Sequence, residues 1–143
     1  MSADRRALHD AFRATTYRAT LADECVEIRI AGRTPVLDAL LRARGASTWA
    51  FVTASNPHAT RLSAAENEAR HVELARALAV AGFPGFEGES VADDGAWPPE
   101  RSLLVIGISE LEAVRIARRF DQEAIVAGEV GQPARLVFCG AGA

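Results

Sequence analysis

Cysteine is scarce in this sequence: Cys25 and Cys139 are the only two, and they lie far apart. Neither has a second thiol nearby, so the spacing fits neither a zinc knuckle nor a redox-active pair. Both occur in apolar segments with the pattern of strands, and we therefore expect reduced thiols that are buried in the core. The three histidines lack the H-x-x-x-H spacing, so we expect no metal site.

Long hydrophobic runs are absent as well. No apolar stretch approaches the roughly 18 residues that a membrane-spanning helix requires, and the first residues carry charges where a signal peptide needs an apolar segment. A net charge of −3 creates no overall field that would attract nucleic acid or an anionic membrane. We therefore expect a cytoplasmic protein, a monomer or a homodimer, that binds neither nucleic acid nor membrane.

The sequence also lacks the common catalytic motifs. It contains no G-x-S-x-G nucleophile elbow, no phosphate-binding G-x-x-x-x-G-K-[ST] and no dinucleotide-binding G-x-G-x-x-G after a strand. No cofactor is therefore expected. Four carboxylates lie close together within residues 87–94, and a solvated acidic loop explains them better than a metal site.

One stretch near the middle of the chain carries the clearest structural pattern. Residues 49–53 are β-prone and mostly apolar, which predicts a strand covered on both faces. An Asn-Pro pair at Asn56 then interrupts the chain, because proline forces the preceding residue out of the helical region. Ser63 and Glu66 have the S-x-x-E spacing of a capping box, which predicts a helix that begins at Ala64.

Polar residues lie on the stripe of this helix that should face the core. At about 100° per residue, Asn67 falls at the centre of the stripe formed by Leu74 and Leu78, with Arg70 and His71 on either side. A buried amide must be hydrogen-bonded, since an unpaired one costs about 1–3 kcal/mol. Two interpretations follow. Asn67 secures the preceding turn, or it lines a ligand pocket together with Arg70, Thr53 and Asn56.

The order of elements predicts an α+β fold. From Thr48 onward the pattern is β-α-β-β-α-β, as in the split β-α-β core of ferredoxin-like domains, and an N-terminal α-β-α extension precedes it. We expect a single domain over residues 1–143, with a helix and linker at 1–20, a core at 48–139, a mixed sheet and helices mainly on one face. A three-layer α/β sandwich is the alternative, because β-α-β occurs three times.

Three segments predict strands of different kinds. Residues 25–30 alternate between apolar and polar, which predicts a strand near a sheet edge that could lie parallel to the strand at 49–53. The continuous apolar run at 102–108 predicts a central strand. Residues 83–94 predict a short strand interrupted by turn residues, and a terminal hairpin follows further on.

Trp97 is followed by Pro98, Pro99 and Glu100, and consecutive prolines hold a stiff, extended segment. An aromatic side chain held in this way can present a flat apolar surface to a ligand or a peptide. The alternative is a tryptophan that closes the edge of the core, with Glu100 capping a helix or paired with an arginine.

Four ordered blocks stand out: AFVTA-x-NP at 50–57, LSAAENEAR at 62–70, WPPERSLLVIGIS at 97–109 and RRFDQEAIV at 118–126. Together they resemble the bacterial family called domain of unknown function 3293, over roughly residues 17–139. The resemblance implies a small cytoplasmic protein with no assigned activity. The recurring polar positions of the family fall here on Thr53, Asn56, Asn67, Arg70, Trp97, Glu100, Ser102 and Gln122.

Two positions depart from the family pattern. Ser55 stands where the resemblance implies an aromatic residue before Asn-Pro, and Asp121 replaces a small residue before Gln122. If that aromatic residue forms a wall of a ligand site in the family, this chain binds a different ligand or none.

The predicted topology separates the polar residues into two groups. One group lies where the strand at 49–53 ends: Asn56, Asn67 and Arg70. The other lies at the beginnings of strands, which we expect at the opposite end of the sheet: Glu100, Ser102 and Gln122. A single site formed by both groups would contradict this topology, so we expect that at least one group is structural if the fold is ferredoxin-like.

Three hypotheses for function remain. We favour a non-enzymatic binding or regulatory domain that holds a small anionic or amide-bearing ligand, or a loop of a protein partner. The second is a hydrolase or transferase in which Arg70 orients an anionic group and Glu100 or His71 acts as general acid or base. The third is a structural module that dimerises. The candidate binding residues are Thr53, Asn56, Asn67, Arg70, His71, Trp97, Glu100, Ser102 and Gln122.

Overall fold

A computed structural model describes residues 3–57 and 60–140, which form four α-helices and seven β-strands. The helices are α1 Ala3–Arg13, α2 Pro35–Ala43, α3 Ala64–Val80 and α4 Glu110–Arg119. The strands are β1 Thr15–Leu21, β2 Glu24–Ile28, β3 Thr48–Val52, β4 Gly85–Ala92, β5 Glu100–Ile106, β6 Ala124–Glu129 and β7 Arg135–Phe138. No helix within these two ranges is long and apolar enough to cross a membrane.

Both helices that follow central strands begin at the predicted caps. Ser63 Oγ accepts a hydrogen bond from the N–H of Glu66, and the Glu66 carboxylate accepts one from the N–H of Ser63. This is the reciprocal capping box that the sequence predicts for α3. Ser109 Oγ accepts from the N–H of Glu112 and caps α4 in the same position. Each helix therefore starts where its local sequence satisfies the free N–H groups of the first turn.

All seven strands join one sheet in the order β2-β1-β4-β5-β3-β6-β7, and every pair of neighbours is antiparallel. The α+β class is confirmed, whereas the prediction of a mixed sheet is wrong. β2 and β3 are not parallel neighbours, because β1, β4 and β5 lie between them. The positions of β2 at the edge and of β5 at the centre agree with the sequence, since an alternating strand is covered on one face and an apolar strand on both.

Helices cover both faces of the sheet, in contrast to the prediction that they lie mainly on one. On one face α3 and α4 pack against β3, β5 and β6, and Leu74 and Leu78 of α3 are fully buried there. On the other face a second core includes Leu37 and Leu41 of α2, with Phe12 of α1 packed against it. The central strands are apolar on both faces, so each face needs its own covering layer.

The sheet curls around the second core until its two edges meet at one end. Ile30, just after β2, forms a parallel bridge with Ala134, just before β7. The N–H of Ala31 donates to Ala134 O (2.7 Å), and the N–H of Ala134 donates to Gly32 O (2.9 Å). Strand twist accumulates across seven strands and brings the edges together. The bridge pairs backbone groups that an open sheet edge would leave exposed.

Three further local predictions differ from the structure. The predicted linker before residue 20 is largely strand β1, in which Tyr17 and Leu21 point into the core. β4 runs for eight residues without interruption. Cys139 is buried as predicted, but Cys25 is exposed because Val26 takes the inward position beside it. Residues 1, 2, 58, 59 and 141–143 of the predicted single domain lie outside the described residues.

Gly88 allows β4 to lie close to β1. A Cβ atom at this position would be 2.3 Å from the Arg18 carbonyl oxygen and 3.1 Å from the Phe51 ring. Real Cβ atoms do not approach backbone oxygens so closely, so any larger residue must displace the strand.

We expect Gly88→Ala to lower the free energy of unfolding by about 1–3 kcal/mol through this overpacking. Urea denaturation followed by circular dichroism measures the change. Ser90→Ala is the matched control, since residue 90 points to the same side of β4 and the change only shortens its side chain. Equal denaturation midpoints for Gly88→Ala and the wild type would contradict the close approach of β1 and β4.

Candidate functional site

The predicted polar residues converge at one end of the sheet. β3 is antiparallel to both β5 and β6, with Val52 paired with Leu103 and Phe51 paired with Val126. The beginnings of β5 and β6 therefore lie beside the end of β3. The expectation that the two polar groups occupy opposite ends of the sheet is wrong, because it holds only where neighbouring strands are parallel.

Asn56 is the hydrogen-bonding centre of this end. Its Nδ2 donates to Glu100 Oε2 (2.6 Å), and its Oδ1 accepts from the N–H of Leu62 (2.8 Å) and from Asn67 Nδ2 (2.9 Å). The N–H of Asn56 donates to Asn67 Oδ1 (2.9 Å). Asn56 is buried and has φ +47°, a left-handed conformation that asparagine tolerates better than most residues. One amide thus connects the loop after β3 with α3 and with the beginning of β5.

Asn67 secures the turn, as the first of the two interpretations proposes. Its amide exchanges two hydrogen bonds with Asn56, one to the backbone and one to the side chain. Thr53 closes the same loop: its Oγ1 donates to Arg101 O (2.8 Å) and accepts from the N–H of Ser55 (3.0 Å). The side chains of Asn67 and Thr53 therefore form hydrogen bonds with backbone N–H and C=O groups in and beside this loop.

Arg70 and Gln122 fasten this loop to the end of α4. Arg70 Nε donates to Ala54 O (2.6 Å), and Arg70 Nη2 donates to Phe120 O. Gln122 Nε2 donates to Ser55 O (3.0 Å) and to Phe120 O (3.3 Å). Because the Arg70 guanidinium already bonds two carbonyl groups, its role as an anion-orienting group in the enzyme hypothesis gains no support.

His71 is a buried residue of α3 whose side chain faces Glu87 of β4. Its Nε2 is 3.0 Å from Glu87 Oε1, and its buried Nδ1 has no hydrogen-bond partner within the described residues. Arg101 Nη2 donates to Glu87 Oε1 (2.7 Å), while Arg101 Nη1 pairs with Glu68. Burial raises the pKa of Glu87, but the hydrogen bonds from Arg101 and His71 outweigh it, and the pKa lies below its usual value. This is an ion-pair network that joins α3 to β4 and β5.

A cavity of about 320 Å³ opens between α1 and the adjoining ends of β3, β5 and β6. Its wall is mostly apolar, as in small-molecule sites, which range over roughly 300–1,000 Å³. Four aromatic side chains contribute to it: Phe12, Tyr17, Phe51 and Trp97. Six of the predicted site residues also line it: Thr53, Asn56, Trp97, Glu100, Ser102 and Gln122.

Trp97 both lines the cavity and holds the carboxylate of Glu100. Its Nε1 donates to Glu100 Oε2 (2.9 Å), the oxygen that also accepts from Asn56. Trp97 is 36% exposed, and the Arg61 guanidinium lies 5.8 Å from the centre of its ring. Trp97 is therefore a wall at the surface rather than a buried plug, and Glu100 pairs with an amide and an indole rather than with an arginine.

A second cleft of about 300 Å³ lies on the other side of Asn56 and Glu100. It is lined by Asn67 and by charged side chains that include Arg101, which is already paired with Glu68. Asn56 and Glu100 thus form a wall between the two spaces. Of the nine predicted site residues, only Arg70 and His71 line neither space.

The arrangement offers hydrogen bonding and one oriented carboxylate. Within residues 3–57 and 60–140, no cluster of three or more His, Cys, Asp or Glu side chains is placed to bind a metal ion. The hydroxyl of Ser102 on the cavity wall donates to the backbone oxygen of Glu100 (3.2 Å) and not to a general base. These groups can orient a polar ligand, and the described part of the chain places no activated nucleophile beside them.

Comparison with known protein families identifies the chain. Residues 52–125, just over half of its 143 residues, match the family described as protein of unknown function (DUF3293). The chain belongs to this family. The resemblance inferred from the four sequence blocks is thereby confirmed, while searches of curated proteins and of solved structures find no match.

The part of the chain that matches DUF3293 contains the polar network but only part of the cavity wall. It includes Asn56, Asn67 and Glu100, whereas Phe12 and Tyr17 come from α1 and β1, which precede the match. These two residues are not among the predicted site residues, because residues 1–20 have the pattern of a helix and a linker. The signal for β1 is the alternation from Tyr17 to Leu21, with outward-facing Arg and Thr between inward-facing residues.

We expect Asn67→Ala to lower the free energy of unfolding by about 1–3 kcal/mol, because it removes two partners from the buried Asn56. Urea denaturation measures the loss. Glu73→Ala is the control, since its ion pair with Arg76 is exposed and such pairs contribute little. A stability equal to that of the wild type would show that Asn67 does not secure the loop.

Glu87 should make folding stability depend on pH. Its pKa is lowered in the folded state from the usual 4.5, so the unfolded chain takes up the proton at a higher pH than the folded protein does. The stabilisation is complete above about pH 4.5 and is lost as the pH falls through the folded-state pKa.

Urea denaturation midpoints between about pH 6 and pH 3 measure this dependence. In Glu87→Gln the denaturation midpoint should fall less steeply as the pH is lowered. Glu89→Gln on the same strand is the control, because it removes a carboxylate that forms no ion pair within the described residues. Its midpoint should depend on pH as that of the wild type does. If the midpoints of Glu87→Gln and the wild type fell equally with pH, the ion-pair network of Glu87 would not contribute to the pH dependence of stability.

Proposed function

We propose that this DUF3293 protein is a non-enzymatic binding domain whose small ligand occupies the cavity beside Asn56 and Glu100. The observation that carries the proposal is the cavity itself, with about 320 Å³ of mostly apolar wall and a few polar groups at one end. Small-molecule sites share this combination, because the apolar wall provides much of the binding free energy and the polar groups determine orientation.

The carboxylate of Glu100 is held in place before any ligand binds. Asn56 Nδ2 and Trp97 Nε1 both donate to its Oε2, and Asn56 is itself held by Asn67 and by the N–H of Leu62. A polar group that is already ordered loses little conformational entropy on binding, which favours affinity. The network that stabilises the loop therefore also supports a binding site.

The same geometry favours binding over catalysis. The enzyme hypothesis relies on Arg70 as an anion-orienting group and on Glu100 or His71 as an acid or base. Arg70 donates to two backbone carbonyl groups. His71 pairs with Glu87 and lines neither the cavity nor the second cleft. Of these three groups, Glu100 alone lines the cavity, and its Oε2 already accepts hydrogen bonds from Asn56 and Trp97, which suits recognition of a ligand.

We further infer that residues 48–129 form a ferredoxin-like unit. The order β4-β5-β3-β6 with antiparallel neighbours supports this, as do α3 and α4 packed on one face. In this interpretation α1, β1, β2 and α2 extend the sheet beyond β4 and cover the opposite face. The cavity then lies where the extension meets the unit, and interfaces of this kind are common positions for ligand sites.

A neutral aromatic probe tests the cavity. We expect indole at millimolar concentration to shift the amide NMR signals of Phe51, Ser102 and Ile125, which line the cavity wall. Ala11→Trp should abolish the shifts, because Ala11 is an exposed residue of α1 on that wall and an indole side chain there would fill the space.

Ala7→Trp is the matched control for this experiment, since Ala7 is also exposed on α1 but does not line the cavity. It should retain the indole-induced shifts. Shifts that persist in Ala11→Trp, or that map to another surface in the wild type, would overturn the proposed site.

A further inference from the structure

The carboxylates that the structure describes on the cavity wall are those of two glutamates. Among the residues that the structure describes, the wall contains the carboxylates of Glu100 and Glu123 and no arginine, lysine or histidine. An anionic ligand would therefore place its charge near the Glu100 carboxylate, whose hydrogen-bond donors Asn56 and Trp97 are neutral, and this costs free energy where water is partly excluded. The anionic ligand considered from the sequence gains no support from this wall.

One oxygen of Glu100 remains available. The hydrogen bonds from Asn56 and Trp97 both reach Oε2, and within the described residues none reaches Oε1. The carboxylate also acts across the cavity on Tyr17: burial raises the pKa of that hydroxyl, and the negative charge of Glu100 raises it further. A fixed carboxylate with a free acceptor oxygen is a strong hydrogen-bond partner for a cationic donor.

Aromatic rings surround the same space. Phe12 and Tyr17 stack with ring centres 6.3 Å apart, and Tyr17 meets Phe51 edge to face at 5.3 Å. Trp97 contributes a fourth ring to the wall. Ring faces attract ammonium groups, and the attraction grows when the cation is desolvated. Carboxylate and aromatic rings together suit an organic cation, whereas a calcium or magnesium ion requires more oxygen ligands.

We propose that the ligand of this cavity is a small organic amine, protonated at neutral pH, with an apolar or aromatic body. The ammonium group donates to Glu100 Oε1, and the body packs among the rings of Phe12, Tyr17 and Phe51. The assignment rests on the proposed function and specifies the ligand class of that same site. The volume of about 320 Å³ restricts the body to a small one.

Three probes of nearly equal shape test the ligand class: 2-phenylethylamine, 2-phenylethanol and phenylacetate. In NMR titrations of the full chain at neutral pH, we expect the amine to bind about tenfold or more tightly than the alcohol. Phenylacetate should bind most weakly. Glu100→Gln should remove the preference for the amine, because glutamine retains an oxygen that can accept from Asn56 and Trp97 but replaces the charged Oε1 with a neutral NH2 group.

Glu89→Gln is the matched control, since it removes a carboxylate from β4 that does not line the cavity, and it should keep the preference for the amine. Thermal unfolding of both variants verifies that they are folded. Equal affinities for amine and alcohol, tighter binding of phenylacetate, or a preference that survives in Glu100→Gln would overturn the amine assignment. If indole binds and the amine does not, the amine assignment alone fails. If no probe binds, the proposed function fails with it.

Discussion

The hydrogen bonds of one buried asparagine hold the candidate site together. Asn56 reaches Glu100 on β5, Asn67 on α3 and the backbone of Leu62, and it does so from a left-handed backbone conformation just before a proline. A buried amide that loses a partner pays a desolvation cost, so these bonds depend on one another. The orientation of the Glu100 carboxylate is therefore coupled to the position of α3.

The cavity combines two parts of the chain. The segment that matches DUF3293 supplies the polar anchor, and α1 and β1 supply Phe12 and Tyr17 on the facing wall. Ser55 lies between the two spaces and is buried, where the family resemblance implies an aromatic residue.

Several features of the site can be predicted from the sequence because they depend on neighbouring residues. The capping box at Ser63 and Glu66 needs only the spacing within one turn, and it forms as expected. Asn67 stands out because it interrupts an apolar stripe, and its side chain is indeed used within the fold. The prediction that Asn56 and Glu100 lie at opposite ends of the sheet was wrong. They meet because β3 and β5 are antiparallel, and neither segment specifies that relation by itself.

By itself, the sequence determined the types of most elements, the α+β class and the family, since periodicity, capping and motif spacing are local properties of the chain. Only the tertiary structure decided the strand order, the helices on both faces, the exposure of Cys25 and the contribution of Tyr17 to the cavity. These features depend on which distant segments bury each other's apolar surface. Many pairings are compatible with the same local patterns, and the packing of the whole chain selects among them.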